Sequence, residues 1–110
     1  MRIAYKIWLD NDGKAFGEGP RQLLLLVECL GSLSAAAAEV GMSYSKAWRT
    51  IRQVEARLGF RLIERRTGGA AGGGSTLTPQ AQDLLRRYSA LVDDAHKALD
   101  ELYARHFENG

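Results

Sequence analysis

Cysteine is almost missing from this chain: Cys29 stands alone, so no intramolecular disulfide can form. That scarcity fits a reducing, cytoplasmic compartment. No apolar run approaches the roughly 18 residues needed to span a membrane. The opening Met-Arg-Ile-Ala-Tyr-Lys lacks the apolar stretch of a secretory signal. The two histidines, His96 and His106, are ten residues apart on one expected helix, with no cysteine near either. A metal site is therefore not expected. No paired carboxylates sit in a glycine-framed pocket and no cofactor fingerprint occurs, so neither an enzyme nor a bound cofactor is expected. The glycine-rich stretch TGGAAGGGST is not a nucleotide loop, because no Gly-Lys-Ser/Thr follows it and no helix starts directly after its glycines.

What the chain has is an uneven distribution of charge. Its 110 residues suit one domain with one modest core. From Ser43 to Arg66, seven cations (Lys46, Arg49, Arg52, Arg57, Arg61, Arg65 and Arg66) face two carboxylates, Glu55 and Glu64, a local charge of +5. The other eight cations and eleven carboxylates leave the rest at −3. A basic field on a mildly acidic body is the footprint of polyanion binding; a solvated helix face is the plainer alternative.

Periodicity divides the chain. Ile3, Tyr5, Ile7 and Leu9 alternate with Ala4, Lys6 and Trp8, which is strand spacing. Asn11-Asp12-Gly13 signals a turn and Ala15-Phe16 a short return, so a β-hairpin is expected over 3–16. Pro20 suits a first helical position. Leu23, Leu24, Leu26, Val27 and Leu30 then form a nearly buried helix ending near Gly31, with Cys29 expected as an inert core thiol. Ser32 or Ser34 can cap a second helix reaching Val40. Gly41 stops it, and Ser43 caps a third helix two residues later. This is a helix-turn-helix, over 33–59, with Ala37, Gly41 and Ala47 expected where the helices approach closely.

On a helical wheel with Lys46 at 0°, Tyr44, Ala47, Trp48, Ile51, Val54 and Leu58 fall between about 80° and 200°. Lys46, Arg49, Thr50, Gln53 and Arg57 fall between about −60° and +40°. The first face is expected to pack, Tyr44 and Trp48 included; the second can reach phosphates and base edges in a major groove. Ser43, Tyr44 and Ser45 lie at the N-terminal end that reading helices push toward bases. Leu62 to Arg66 and Leu77-Thr78 then flank the glycine-rich tip, a wing over 62–78 with Arg65 and Arg66 at its base, able to reach backbone phosphate or a minor groove.

Thr78 and Pro79 open the last helix, which can run to about Phe107, on the order of 40 Å. Leu84, Tyr88, Leu91, Ala95, Ala98 and Leu102 repeat at heptad-like spacing, widened by Leu85, Val92, Leu99 and Tyr103. An 80-residue head cannot cover so long a helix. Its stripe, with Leu84, Tyr88, Leu91, Ala95, Leu99 and Leu102 foremost, is expected to meet the same helix of a second subunit.

Helix-turn-helix, wing and long helix, in that order, resemble the LysR-type winged helix family, and within it the N-terminal DNA-binding domain of ModE-type molybdate-responsive regulators. The residues that carry the likeness are Gly41-Met42-Ser43-Tyr44-Ser45-Lys46-Ala47-Trp48, Leu62-Ile63-Glu64-Arg65, Thr67-Gly68-Gly69 with Gly72-Gly73-Gly74, and Leu77-Thr78. The resemblance implies a mainly α fold with small β elements, a winged head over 1–78 and a dimerisation helix over 79–110. It implies a homodimeric transcription regulator on double-stranded DNA, read by Tyr44, Ser45, Lys46 and Arg49, with the wing 67–75 on backbone or minor groove. Because the chain ends at Gly110, the molybdate-binding domain of that type is not expected in it, and molybdate sensing is not carried over. The alternative function is a protein-interaction module that pairs through its last helix with a longer regulator.

Overall fold

A computed structural model describes residues 1–66 and 74–108, with the backbone only for Arg66. Two short strands, β1 (Leu9–Asp10) and β2 (Lys14–Phe16), precede three helices: α1 (Glu18–Leu30), α2 (Leu33–Glu39) and α3 (Tyr44–Leu58). Strands β3 (Ile63–Arg66) and β4 (Gly74–Leu77) follow, then α4 (Pro79–Tyr103), which runs on into a π-helical turn, Ala104–Glu108. Each strand pair is antiparallel and two-stranded; β3 and β4 are in register from Ile63 opposite Leu77 to Arg66 opposite Gly74. The fold is mainly α with two small hairpins, as expected.

The core is where the three short helices, the wing strands and the base of α4 converge. Phe16, Leu24, Val27, Ala36, Ala47, Ile51, Leu62 and Ala81 are fully enclosed. Alanines let α2 and α3 cross closely: Ala36, Ala37 and Ala47 are all buried. Gly41, expected at that close approach, has open space where a Cβ would lie. It is there for its backbone, at φ +71°, a left-handed conformation that L side chains rarely adopt. Ser32, one of the two candidate caps, closes α2 by accepting from the Ala35 N–H at 3.0 Å.

Three expectations are corrected. The N-terminal alternation is present in burial, with Ile3, Tyr5, Ile7 and Leu9 half-buried and their neighbours exposed. Only Leu9 and Asp10 pair as a strand, however. Residues 3–8 lean on α4 instead: the Tyr88 hydroxyl donates to the Ile7 carbonyl at 2.8 Å, and the Tyr5 hydroxyl pairs with His96 Nδ1. Helix α1 begins at Glu18, so Pro20 is its third residue, where a missing N–H still costs nothing. Cys29 is exposed, since only Leu23, Leu24 and Val27 of α1 are buried and its last turn faces outward.

Thr78 joins the wing to α4 and is 3% exposed. Its N–H donates to the Leu62 carbonyl at 3.0 Å and its hydroxyl to the Arg61 carbonyl at 2.7 Å. The same oxygen accepts from the Ala81 N–H at 3.1 Å, capping α4, with Pro79 in the first helical position as expected.

Candidate nucleic-acid interface

Helix α3 is held from behind and open in front. Ala47, Ile51 and Val54 bury one face, and Ser43 caps its start by accepting from the Lys46 N–H at 3.1 Å. Gly59, at φ +84°, stops it. Ser43, Tyr44, Ser45, Lys46, Arg49 and Gln53 are exposed. The turn after α3 is tied to the wing through Glu55, whose carboxylate accepts from the Leu62 N–H at 2.8 Å. The wing is tied to α1 through the Ser75 N–H, which donates to the Gly31 carbonyl at 2.9 Å. Helix α3 and the wing base are thus two edges of one packed body.

Individual residues depart from the wheel. Tyr44, expected to pack, is 46% exposed and meets Trp48 edge-on at 6.2 Å. It stands at the open N-terminal turn, so it belongs to the exposed end of α3 more than to the core. Thr50 is half-buried, and its hydroxyl donates back to the Lys46 carbonyl at 3.0 Å, leaving only acceptor capacity outward. Thr50 and Gln53 border a groove of about 570 Å³ shared with Lys14 and Phe16 of β2. Arg57 is held by the hairpin: its Nη1 donates to the Asp12 carbonyl, and the Asn11 amide donates to the Arg57 carbonyl at 2.7 Å. A Cβ added at Gly13 would stand 2.6 Å from the Arg57 guanidinium carbon. Arg57 therefore clasps the β1–β2 turn while staying exposed to solvent.

Wing residue Arg65 is exposed and its guanidinium carbon lies 5.4 Å from the centre of the Trp48 ring. Arg52 of α3 lies 5.2 Å from the same ring. In the sequence Arg52 is one cation of the basic field among seven; its position one turn after Trp48 is the signal that sets it apart. Lys14, over the Trp8 ring at 5.2 Å, adds a cation at the groove's far side that strand periodicity does not reveal. Arg66 ends β3 with its side chain outside the described residues, as does the wing tip, 67–73.

Along α4, the expected seam divides. Tyr88 is buried in its own head, edge-on to Phe16 at 5.1 Å. Burial, helped by Glu18 and opposed by Arg21, holds its phenol above the ordinary range, so it remains a donor to Ile7. Leu91 and Leu102 are 46% and 40% exposed, and Leu84, Ala95 and Leu99 are half-buried. Leu84 and Leu91 border an apolar groove of about 520 Å³ with Leu9, Leu58 and Phe60. From Ser89 to Glu108 no side chain is buried, although apolar residues continue to Phe107. Among the described residues, no helix is long and apolar enough to cross a membrane.

Known proteins share this arrangement. Residues 21–82 match the family model described as bacterial regulatory helix-turn-helix protein, lysR family. The DNA-binding transcriptional dual regulator ModE of Escherichia coli (strain K12) is 39% identical over 104 residues, covering 93% of this chain and 39% of that protein. The molybdenum-pterin-binding protein MopB of Rhodobacter capsulatus is 36% identical over 98 residues, covering 89% and 36% respectively. This chain thus spans well under half the length of these curated relatives. Among solved structures, ArgP from Mycobacterium tuberculosis superposes with a TM-score of 0.55 at 27% identity, over 77% of this chain and 30% of that one. The CbnR DNA-binding domain in its DNA complex superposes with a TM-score of 0.60 at 24% identity, over 79% and 94%, which shows a shared fold. With more than half of its residues inside the family model, and with helix-turn-helix, wing and long helix in the same order, the chain belongs to the LysR family of bacterial regulatory helix-turn-helix proteins.

Proposed function

We propose that this protein is a cytoplasmic, sequence-specific, double-stranded DNA-binding transcription regulator that works as a homodimer. The observation that carries the reading is the open N-terminal half of α3. Tyr44, Ser45, Lys46 and Arg49 stand exposed there, opposite a face buried by Ala47, Ile51 and Val54. A helix so mounted can lie in a major groove with its first turns at the base edges. Arg49 and Gln53 are of the types that pair bidentately with guanine and adenine. Ser43, Thr50 and Lys46 suit phosphate or sugar contacts that fix register. Arg65 and Arg66 suit backbone or minor-groove contact from the wing, while Arg57 supports the hairpin. The relative named as a DNA-binding regulator, 39% identical across nearly all of this chain, supports the same role. The homodimer is supported by the uncovered apolar stripe of α4, with Leu84, Leu91, Ala95, Leu99 and Leu102 as its seam.

The test is fluorescence anisotropy with duplexes from upstream regions against scrambled DNA. Affinity is expected to fall by about 10³–10⁵ between about 50 and 200 mM salt if six to ten phosphates are contacted. Arg49→Ala is expected to cost about 1–3 kcal/mol on the preferred duplex and to relax discrimination at one position. Equal binding of preferred and scrambled duplexes by the wild type would refute a sequence reader. A uniform loss on all duplexes in Arg49→Ala would reassign Arg49 to phosphate.

A further inference from the structure

We propose that Trp48 is an aromatic platform that sets two arginines from different elements, Arg52 of α3 and Arg65 of the wing, against the phosphate backbone of bound DNA; this rests on the DNA-binding role proposed above. Both guanidinium carbons lie within 5.4 Å of the ring centre. A ring face attracts cations, and tryptophan does so best. Two cations held at one ring concentrate positive charge there, which favours an anion. Among the described residues neither arginine forms an ion pair. The nearby carboxylates are turned elsewhere: Glu55 accepts from the Leu62 N–H, and Glu64 alternates onto the opposite face of β3 from Arg65. Both arginines are exposed, Arg52 on α3 and Arg65 on β3. A phosphodiester is the anion that this edge of the molecule would meet.

A second observation separates ring chemistry from plain packing. The Trp48 indole N–H is buried and meets no acceptor among the described residues. An unpaired buried donor is a standing cost. Were the side chain present only to fill space, phenylalanine would fill it without that donor. What phenylalanine lacks is tryptophan's stronger attraction for cations. The ring also joins α3 to β3, so the clamp fixes the wing base relative to the reading helix. Trp48 is a positioning residue here; the arginines make the contacts.

The experiment compares wild type, Trp48→Phe, Trp48→Leu, Arg52→Ala and the Trp48→Leu/Arg52→Ala double variant by anisotropy across salt, with thermal melting alongside. Arg52→Ala is expected to lower the salt slope by about one. Trp48→Leu should weaken binding by about tenfold and flatten the slope, and Trp48→Phe should lose about threefold, following the order of cation–π strength. Trp48→Phe should melt no lower than wild type. Arg52→Ala should cost less in the Trp48→Leu background than alone. The clamp is overturned if both Trp48 variants bind as wild type does, if the losses simply follow melting temperature, or if the Arg52→Ala cost is unchanged without the ring. Failure of wild type to bind any duplex at low salt would instead remove the DNA-binding role, and the clamp with it.

Discussion

Replacing Leu91 and Leu102 together by aspartate is expected to give a monomer in analytical ultracentrifugation and to weaken binding to a two-half-site duplex by about 10²–10⁴. The size of the effect comes from effective concentration. Once one head of a dimer is seated, the second meets its half-site as an intramolecular partner. A monomer loses that advantage and keeps only single-head affinity. Both leucines are exposed in part in the isolated chain and neither belongs to the buried core, so the change leaves the head's core intact. The circular dichroism of the folded head should therefore be kept, and binding to a duplex with one half-site should change little. A variant that remains dimeric would remove α4 as the seam. A monomer that still binds the two-half-site duplex at wild-type affinity would remove the dimer from the mechanism.

The largest loss of stability is expected at Phe16. Its side chain is fully buried and meets Tyr88 in a T-shaped contact, so it joins the N-terminal hairpin to α4 through the middle of the core. Phe16→Ala removes the ring and leaves a cavity that alanines and leucines around it cannot close. Such changes cost about 3–5 kcal/mol. For a domain whose total stability is about 5–15 kcal/mol, that brings the folded state near its limit. Urea denaturation followed by circular dichroism should show the midpoint falling by about a fifth or more. A shift worth less than about 1 kcal/mol would mean that the hairpin packs on the head without supporting it.

Where one face of an element sees core and the other water, the residues announce it. Ala47, Ile51 and Val54 repeat at helical spacing, Ser43 and Thr78 cap at the expected positions, and α3 and α4 follow. Four consecutive leucines, Leu23 to Leu26, carry no such phase. They do not tell which way the end of α1 turns, and that is why Cys29 reads as a core thiol yet lies exposed. The alternation of residues 3–8 is a true signal that one face packs and the other meets solvent, but it cannot name the surface that is packed against. That surface is a helix, not a strand. Tyr88 and Leu91 share one apolar stripe although one serves the head and the other lies open, because period alone does not mark where a head ends. Among cations the difficulty is different: charge counts alike whether a guanidinium is committed to a carbonyl, as in Arg57, or poised over a ring, as in Arg52. Only the packed arrangement separates them.

The joint at Thr78 has a mechanical consequence. With one residue bonded to Arg61, Leu62 and Ala81, wing and long helix meet without slack. Head and helix would then act as a lever with no hinge, and in the proposed dimer two such levers joined along α4 would hold their α3 helices at a set distance and angle. Each base pair inserted between half-sites turns one of them by about 35° around the duplex axis. A reader on a pliable linker could follow that rotation; this one could not. The protein would thus measure the length of the spacer between its half-sites, a quantity that no side chain touches.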